Sequence, residues 1–181
     1  MITFKNKLKN SLGWHRESGT GFTIIELIIA IAVLSFGVVL VYGAFFVIID
    51  ATFNLSSRYT ALYLGQEGLE IIRNMRDNNV KNNVSWTAGL LGDPCKTGCV
   101  ADYKMLEGNQ LAVYNNDVLG LDGNNFYSVM GSTPTIFKRK ITITQISGKD
   151  EVIKVLVEVF WTYNSKSFAL KNIGYLYNIE P

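Results

Sequence analysis

The most prominent feature of the hydrophobic pattern is one long apolar segment near the N-terminus. Between residues 22 and 49 only Thr23, Glu26, Ser35 and two glycines interrupt the apolar side chains, and residues 27–49 contain no charge. A helix over that uncharged stretch measures about 35 Å, which exceeds the roughly 30 Å hydrocarbon core of a bilayer. A buried core helix rarely runs this long without a polar face. The pattern therefore predicts a transmembrane helix.

The helical pattern continues beyond this segment to about Asn79, since the first proline after it is Pro94. Apolar residues recur at spacings of three, four and seven, with Gln66 in the same stripe: Leu55, Tyr59, Leu62, Leu69 and Ile72. A polar face is supplied by Arg58, Glu67, Glu70, Arg73 and Arg76. This second half of the helix is predicted to pack against the rest of the chain. The alternative is a free coiled-coil seam, which Gly65, Gly68 and irregular heptads disfavour.

The C-terminal half shows the alternation of β-strands. Three strands are predicted at residues 137–145, 152–163 and 167–177, with turns at 147–150 and 164–166. Residues 80–135 are rich in Gly, Asn and Asp and predict loops with short elements. Trp86, Trp161 and the tyrosines are expected in the core. The fold class is therefore α+β, a long N-terminal helix packed on a C-terminal antiparallel β-meander.

Charge adds an orientation to this picture. The chain has a net charge of +2, but residues 1–21 carry four basic groups against Glu17, which leaves −1 for the remainder. A basic segment before an apolar span stays in the cytoplasm, so the part after the span faces outward. There, Cys95 and Cys99 in a Pro/Gly turn predict a disulfide rather than free thiols. A zinc site needs about four ligands, and the only histidine is His15 in the leader.

The start of the apolar segment differs from an ordinary secretory signal. The span is too long, and the small residues 18–21 precede it instead of following it. Glu26 places a carboxylate inside the apolar run, where a charge costs at least about 2.5 kcal/mol. Cutting after Gly21 would create an amine on Phe22, one helical turn from Glu26, and a neighbouring subunit's amine could pair with this acid. The alternative is that Glu26 alone reaches the headgroups at the membrane surface.

The motif Gly21-Phe22-Thr23-x-x-Glu26, after a basic leader and before an apolar helix, resembles the prepilin signal of type IV pilins and type II secretion pseudopilins. The resemblance covers about residues 1–50. It implies that a membrane prepilin peptidase cleaves after Gly21 and methylates the amine of Phe22. It also implies that Glu26 neutralises that amine on an adjacent subunit. One departure is Gly43, where many major pilins have a helix-kinking proline.

The resemblance predicts four segments: a leader at 1–21, a transmembrane half-helix at 22–50, a stalk half-helix at 51–80 and a head at 81–181. Residues 66–77 are similar to the end of this helix in minor pilins and the I-type pseudopilin. The expected partners are prepilin peptidase, other pilin or pseudopilin subunits, an inner-membrane assembly platform and membrane lipid. The expected location is the bacterial inner membrane, single-pass with a cytoplasmic N-terminus, and then a fibre.

The expected function is that of a minor pilin in a type IV pilus or pilus-like fibre. A pseudopilin of a type II secretion system is the alternative within the family. A bitopic membrane protein with an outward binding module is the alternative from another class. An enzyme is not expected, because no histidine lies beyond the leader to build Ser-His-Asp, Cys-His or His-metal sites. Phosphate-binding and dinucleotide fingerprints are also missing from the sequence.

The outer part of the chain contains two candidate binding sites. Calcium could find oxygen ligands in Asp117, Asp122, Asn124 and Asn125, but the spacing of an EF-hand is missing and a solvated turn is favoured. DNA could contact residues 138–140, Lys-Arg-Lys, but the net charge of −1 favours a solvated strand face. We therefore predict no cofactor, no metal and no nucleic-acid partner.

Overall fold

The computed structural model of the chain describes residues 21–104 and 111–179. The predicted leader, apart from Gly21, lies outside the described residues. The chain divides between Ile48 and Ile49 into two compact units, which are considered separately. The first unit contributes the apolar part of the long helix, and the second contributes its remainder and the β-structure.

The long helix, α1, covers Ile24–Lys81 and confirms the predicted continuous helix to within two residues of its expected end. In the first unit every described residue is exposed. Among the described residues, α1 is the one helix long and apolar enough to cross a membrane, with a mean hydropathy of 2.9 over its most apolar stretch. An uncovered apolar surface of this length needs an apolar environment, because it would otherwise stay in contact with water.

The described β-structure forms two antiparallel sheets. The strands are β1 (Cys99–Val100), β2 (Ala112–Val113), β3 (Gly120–Leu121), β4 (Tyr127–Ser128), β5 (Thr133–Pro134), β6 (Lys138–Ile146), β7 (Lys149–Tyr163) and β8 (Lys166–Tyr177). One sheet has the order β2-β1-β6-β7-β8 and the other β4-β3-β5. The α+β class, the C-terminal meander and the short elements of residues 80–135 are thereby confirmed.

The three long strands match the predicted ones, with small differences at the turns. β7 begins at Lys149, before the predicted residue 152, because Ser147 and Gly148 alone make the turn and Gly148 has a φ of +77°. The β6–β7 register pairs Ile141 with Val157 and shifts between Gln145 and Ile146, next to the turn, and the β7–β8 register pairs Val157 with Asn172. One face of β6 and β7 alternates into the core, which is the pattern of a sheet covered on one side.

The stalk half of α1 packs on this face, as predicted, but the predicted apolar stripe matches its buried face only in part. Ile72 is buried, and Leu62 and Leu69 are half-buried. Leu55 and Tyr59 are 55% and 60% exposed. The residues that the helix buries are Ala61, Leu64, Gly65, Gly68, Ile71, Ile72, Met75, Arg76 and Asn79. A Cβ added at Gly65 would lie 2.7 Å from Asn172 Cγ, and one at Gly68 would lie 2.9 Å from Val157 Cγ1. The buried face of the helix therefore includes Gly65 and Gly68, because residues without a Cβ let the sheet approach the helix backbone.

Strand β8 runs beside the stalk half of the helix over most of the length of the strand. Four contacts follow in the same order along both elements: Arg58 with Phe168, Gly65 with Asn172, Leu69 with Gly174, and Arg76 with Tyr177. The last of these corrects the prediction that Arg76 belongs to the polar face. Arg76 is only 8% exposed, and its Nη1 donates a hydrogen bond of 3.3 Å to the carbonyl of Tyr177.

The aromatic residues divide between core and surface. Trp86 and Trp161 are buried, as predicted, and Trp161 stacks on Phe168 with ring centroids 5.5 Å apart. The prediction for the tyrosines is wrong for several of them, because Tyr63 and Tyr175 are both at least half exposed. A phenol tolerates water at its hydroxyl end, so hydrophobic pattern alone does not distinguish the two environments.

Candidate assembly site

The start of α1 brings three of the predicted site residues into one short segment. Phe22 is 83% exposed and lies two residues before the first helical residue, Ile24. Glu26 lies in the first turn of the helix, where the unpaired backbone N–H groups and the helix dipole favour a negative charge. The segment therefore places an acid and a candidate N-terminal residue within one turn of each other.

The Glu26 side chain is exposed and has no hydrogen-bond or ion-pair partner within residues 21–104 and 111–179. The other polar side chain of the apolar segment is different, because Ser35 Oγ donates a hydrogen bond of 2.7 Å to the carbonyl of Ile31 in its own helix. Ser35 is thus satisfied within its own helix, whereas the Glu26 carboxylate has no partner among the described residues.

The peptide between Gly21 and Phe22 is open to its surroundings. A Cβ added at Gly21 would find nothing within 4 Å, and Phe22 makes no buried contact. An approaching protease would therefore meet no packed structure on the described side of this bond. Cleavage after Gly21 and methylation of Phe22 remain predictions.

Thr23 is a site residue that the sequence analysis missed. Its Oγ1 accepts a hydrogen bond of 3.3 Å from the Glu26 amide, and its carbonyl accepts one of 3.1 Å from Leu27. Thr23 is thus the N-cap of α1. The signal that could have found it is Thr23-x-x-Glu26, since Ser or Thr followed three residues later by Glu is the capping-box pattern.

The predicted disulfide between Cys95 and Cys99 is present, and both residues are buried. The bonded pair lies against the start of the main sheet. Ile143 donates a backbone hydrogen bond of 3.0 Å to the carbonyl of Cys95, and Cys99 is paired with Ile141. The disulfide therefore fixes the loop region to strand β6.

The loop considered for calcium is already satisfied by protein groups. Asp122 Oδ1 accepts backbone hydrogen bonds from Asn124 and Phe126, at 2.9 and 3.1 Å. Its Oδ2 accepts a hydrogen bond from Tyr103 and lies 3.0 Å from Lys104 Nζ. The Tyr103 hydroxyl, the Lys104 ammonium and these amides hold the pKa of Asp122 far below its usual range. The positive charge of Lys104, paired with this carboxylate, disfavours a cation beside it.

The basic run at residues 138–140 does not form one surface. Lys138 and Lys140 lie on the outer face of β6, whereas Arg139 is 1% exposed and corrects the expectation of a solvated strand face. Arg139 Nη2 donates to the carbonyl of Ala101 at 2.8 Å. Its Nη1 donates to the Leu64 carbonyl at 3.2 Å and to Glu67 Oε2 at 3.0 Å. Arg139 thus joins the helix, the sheet and the loop region.

The chain was compared with protein-family models, curated proteins and solved structures, and none of them matches it. The architecture is pilin-like. One long apolar N-terminal helix continues into a half that packs on an antiparallel sheet. Within the described residues, no group of three or more His, Cys, Asp or Glu side chains is placed to hold a metal ion.

Proposed function

We propose that the chain is a minor pilin, a structural subunit of a type IV pilus or pilus-like fibre. It would be cleaved after Gly21, methylated on Phe22 and stored in the bacterial inner membrane before assembly. Support comes from the combination of the prepilin-like motif, the exposed apolar helix and the pilin-like α+β architecture. The observation that carries the proposal is the unpaired carboxylate of Glu26 in the first turn of that helix.

A carboxylate at this position is stabilised by a partner of opposite charge. In a medium of low dielectric constant an isolated charge is costly, and a nearby opposite charge offsets much of that cost. In this proposal a freed Phe22 amine on a neighbouring subunit supplies the opposite charge for Glu26, which lies in the first helical turn. Methylation leaves the nitrogen basic, so the methylated amine still carries a positive charge.

The pairing also sets how far two helices are offset. After Glu26 the next charged residue along the helix is Asp50, so the apolar segment contains one acceptor for an incoming amine. A helix that is otherwise apolar on all sides could slide along its neighbours with little change in contact energy. A single buried ion pair removes that freedom, as single polar residues do in coiled-coil interfaces.

The test compares fibre incorporation of Glu26→Ala and Glu26→Gln with that of the unmodified chain. Glu26→Gln keeps the size of the side chain and removes its charge. We expect both variants to insert in the membrane normally and to be strongly depleted from fibres. Ser35→Ala is the matched control, because Ser35 bonds only within its own helix and its loss should leave incorporation unchanged.

Normal incorporation of Glu26→Ala would contradict the proposed pairing. Processing is tested separately by mass spectrometry of the purified protein, which should begin at an N-methylated Phe22. Recovery of chains that polymerise normally while retaining residues 1–21 would contradict the cleavage step. Loss of membrane insertion in the Glu26 variants would instead indicate a role in anchoring.

A further inference from the structure

The turn between β7 and β8 is fixed to the helix at Asp50. Asn164 and Ser165 have φ values of +47° and +59°, the left-handed pair that characterises a two-residue type I′ hairpin turn. Tyr163 Oη donates a hydrogen bond of 3.0 Å to Asp50 Oδ1, and Asn164 Nδ2 donates one of 2.8 Å to the same atom. We refer to residues 163–166 as the juxtamembrane turn.

Asp50 marks a boundary in the sequence. It is the first charged residue after residues 27–49, whose helical length of about 35 Å slightly exceeds the hydrocarbon core. If the chain is anchored as the proposed function requires, Asp50 lies where the helix leaves the hydrocarbon. The polar layer on that side of the bilayer is about 5–7 Å thick. The juxtamembrane turn, hydrogen-bonded to Asp50, therefore lies within the layer of lipid headgroups.

Two cations lie close to the turn. Lys166 is exposed and has no ion pair within the described part of the chain. Arg58 is also exposed, and its Nε donates a hydrogen bond of 3.2 Å to Asn54 Oδ1, one helical turn nearer to Asp50. Its guanidinium lies 5.7 Å from the ring centroid of Phe168, next to the turn. The Arg58 guanidinium is thus directed toward the Asp50 end of the stalk half, and Lys166 belongs to the turn itself.

We propose that the juxtamembrane turn, with Arg58, is a membrane-surface contact that binds the phosphate groups of anionic phospholipids. Charge complementarity supports this occupant, because two cations and one carboxylate leave a local excess of positive charge. The exposed Phe53, 58% accessible, lies at the same level and suits the headgroup region, where aromatic rings are favoured. The inference rests on the membrane anchor of the proposed function, and it adds a lipid site that holds the head against the bilayer before assembly.

The test uses the full chain in phosphatidylcholine vesicles with and without phosphatidylglycerol. A nitroxide label is attached in turn to Ser165→Cys, to Ser147→Cys and to Ser35→Cys. Ser147 is the matched control, because it lies in the two-residue turn at the opposite end of β7. An exposed lysine follows each turn, Lys149 after residues 147–148 and Lys166 after residues 164–165. Ser35 reports on the anchor itself. Collision of each label with a water-soluble nickel chelate is measured by electron paramagnetic resonance.

We expect the Ser165 label to be protected from the chelate relative to the Ser147 label, and more so with phosphatidylglycerol. Each cation at an anionic surface favours binding by about fivefold. Combining Arg58→Gln with Lys166→Gln should therefore remove most of the dependence on phosphatidylglycerol. Lys149→Gln, the equivalent change beside the control turn, should leave the Ser165 label unaffected.

Three results would overturn the proposal. The first is a Ser165 label as accessible as the Ser147 label while the Ser35 label is shielded, which would refute the lipid contact and leave the anchor intact. The second is protection that rises with the protein-to-lipid ratio and ignores phosphatidylglycerol, which would assign the surface to a second copy of the chain. The third is a water-accessible Ser35 label, which would refute the membrane anchor and the lipid site together.

Discussion

Replacing Arg139 should destabilise the head more than any surface change, because three structural elements meet at its guanidinium. We consider Arg139→Met, which keeps an unbranched stem of similar length, and Arg139→Ala, which removes it. In both variants the Ala101 carbonyl loses its charged donor and the Leu64 carbonyl loses one of its contacts. Glu67 loses its ion-pair partner, but its side chain is 35% exposed and can be solvated.

The magnitudes follow from these contacts. Loss of the buried hydrogen bonds to a charged group costs about 2 kcal/mol of unfolding free energy, which is the value we expect for Arg139→Met. Arg139→Ala also leaves a cavity beside Gly68 and Val157, which adds about 2 kcal/mol. Glu67→Gln should cost less than about 1 kcal/mol, since a partly exposed ion pair contributes little.

The assay is urea unfolding of the full chain in detergent micelles, followed by tryptophan fluorescence. A Trp14→Phe background leaves the signal to Trp86 and Trp161, which are 7% and 4% exposed and should report the loss of the core. The expected order of destabilisation is Arg139→Ala, then Arg139→Met, then Glu67→Gln. An unfolding free energy for Arg139→Ala within about 0.5 kcal/mol of the unmodified chain would refute the reasoning, because that is the scale of ordinary surface substitutions.

Two further predictions concern the head. The hydrogen bond from Tyr103 and the ion pair beside it lower the pKa of Asp122, so its stabilisation is complete above the unfolded pKa of about 3.9 and is lost as the pH falls below that. Asp122→Asn should therefore lower the melting temperature at pH 7, with a difference that shrinks in acid; a difference independent of pH would contradict this. Gly68→Ala should destabilise the head by about 1 kcal/mol, because the crowding of Val157 outweighs the gain in helix propensity. Gly123→Ala, where a Cβ has open space, should be tolerated in the same urea assay, and equal effects of the two changes would contradict the packing argument.

Much of the fold could be predicted from local pattern. The apolar segment and the lack of proline predict one helix, and α1 indeed runs from Ile24–Lys81. Alternation along β6 and β7 and the aromatic residues of β8 predict the meander, and one face of β6 and β7 is indeed buried. The pairing of Cys95 with Cys99 follows from their closeness and the turn residues between them.

The details that the sequence could not show depend on contacts between distant residues. The predicted stripe departs from the buried helix face at Leu55 and Tyr59, because the pattern gives weight to large apolar residues, whereas the sheet approaches the helix closely at Gly65 and Gly68. The sequence places Arg76 and Arg139 on polar faces, but each is buried and donates a hydrogen bond to a carbonyl that is distant in the sequence, that of Tyr177 for Arg76 and that of Ala101 for Arg139. At the candidate site Glu26 was identified by its charge, while the cap at Thr23 was missed although its spacing was visible.

The course of β8 beside α1 determines how the head responds to tension. In the proposed fibre, load would pull on the subunits along their helices, and β8 runs beside the helix in the direction of that force. Antiparallel strands are joined by hydrogen bonds perpendicular to their length, so a pull along β8 loads the whole β7–β8 ladder at once instead of opening it one bond at a time. Such a pull is a shear load on the β7–β8 hydrogen bonds, and they would break together.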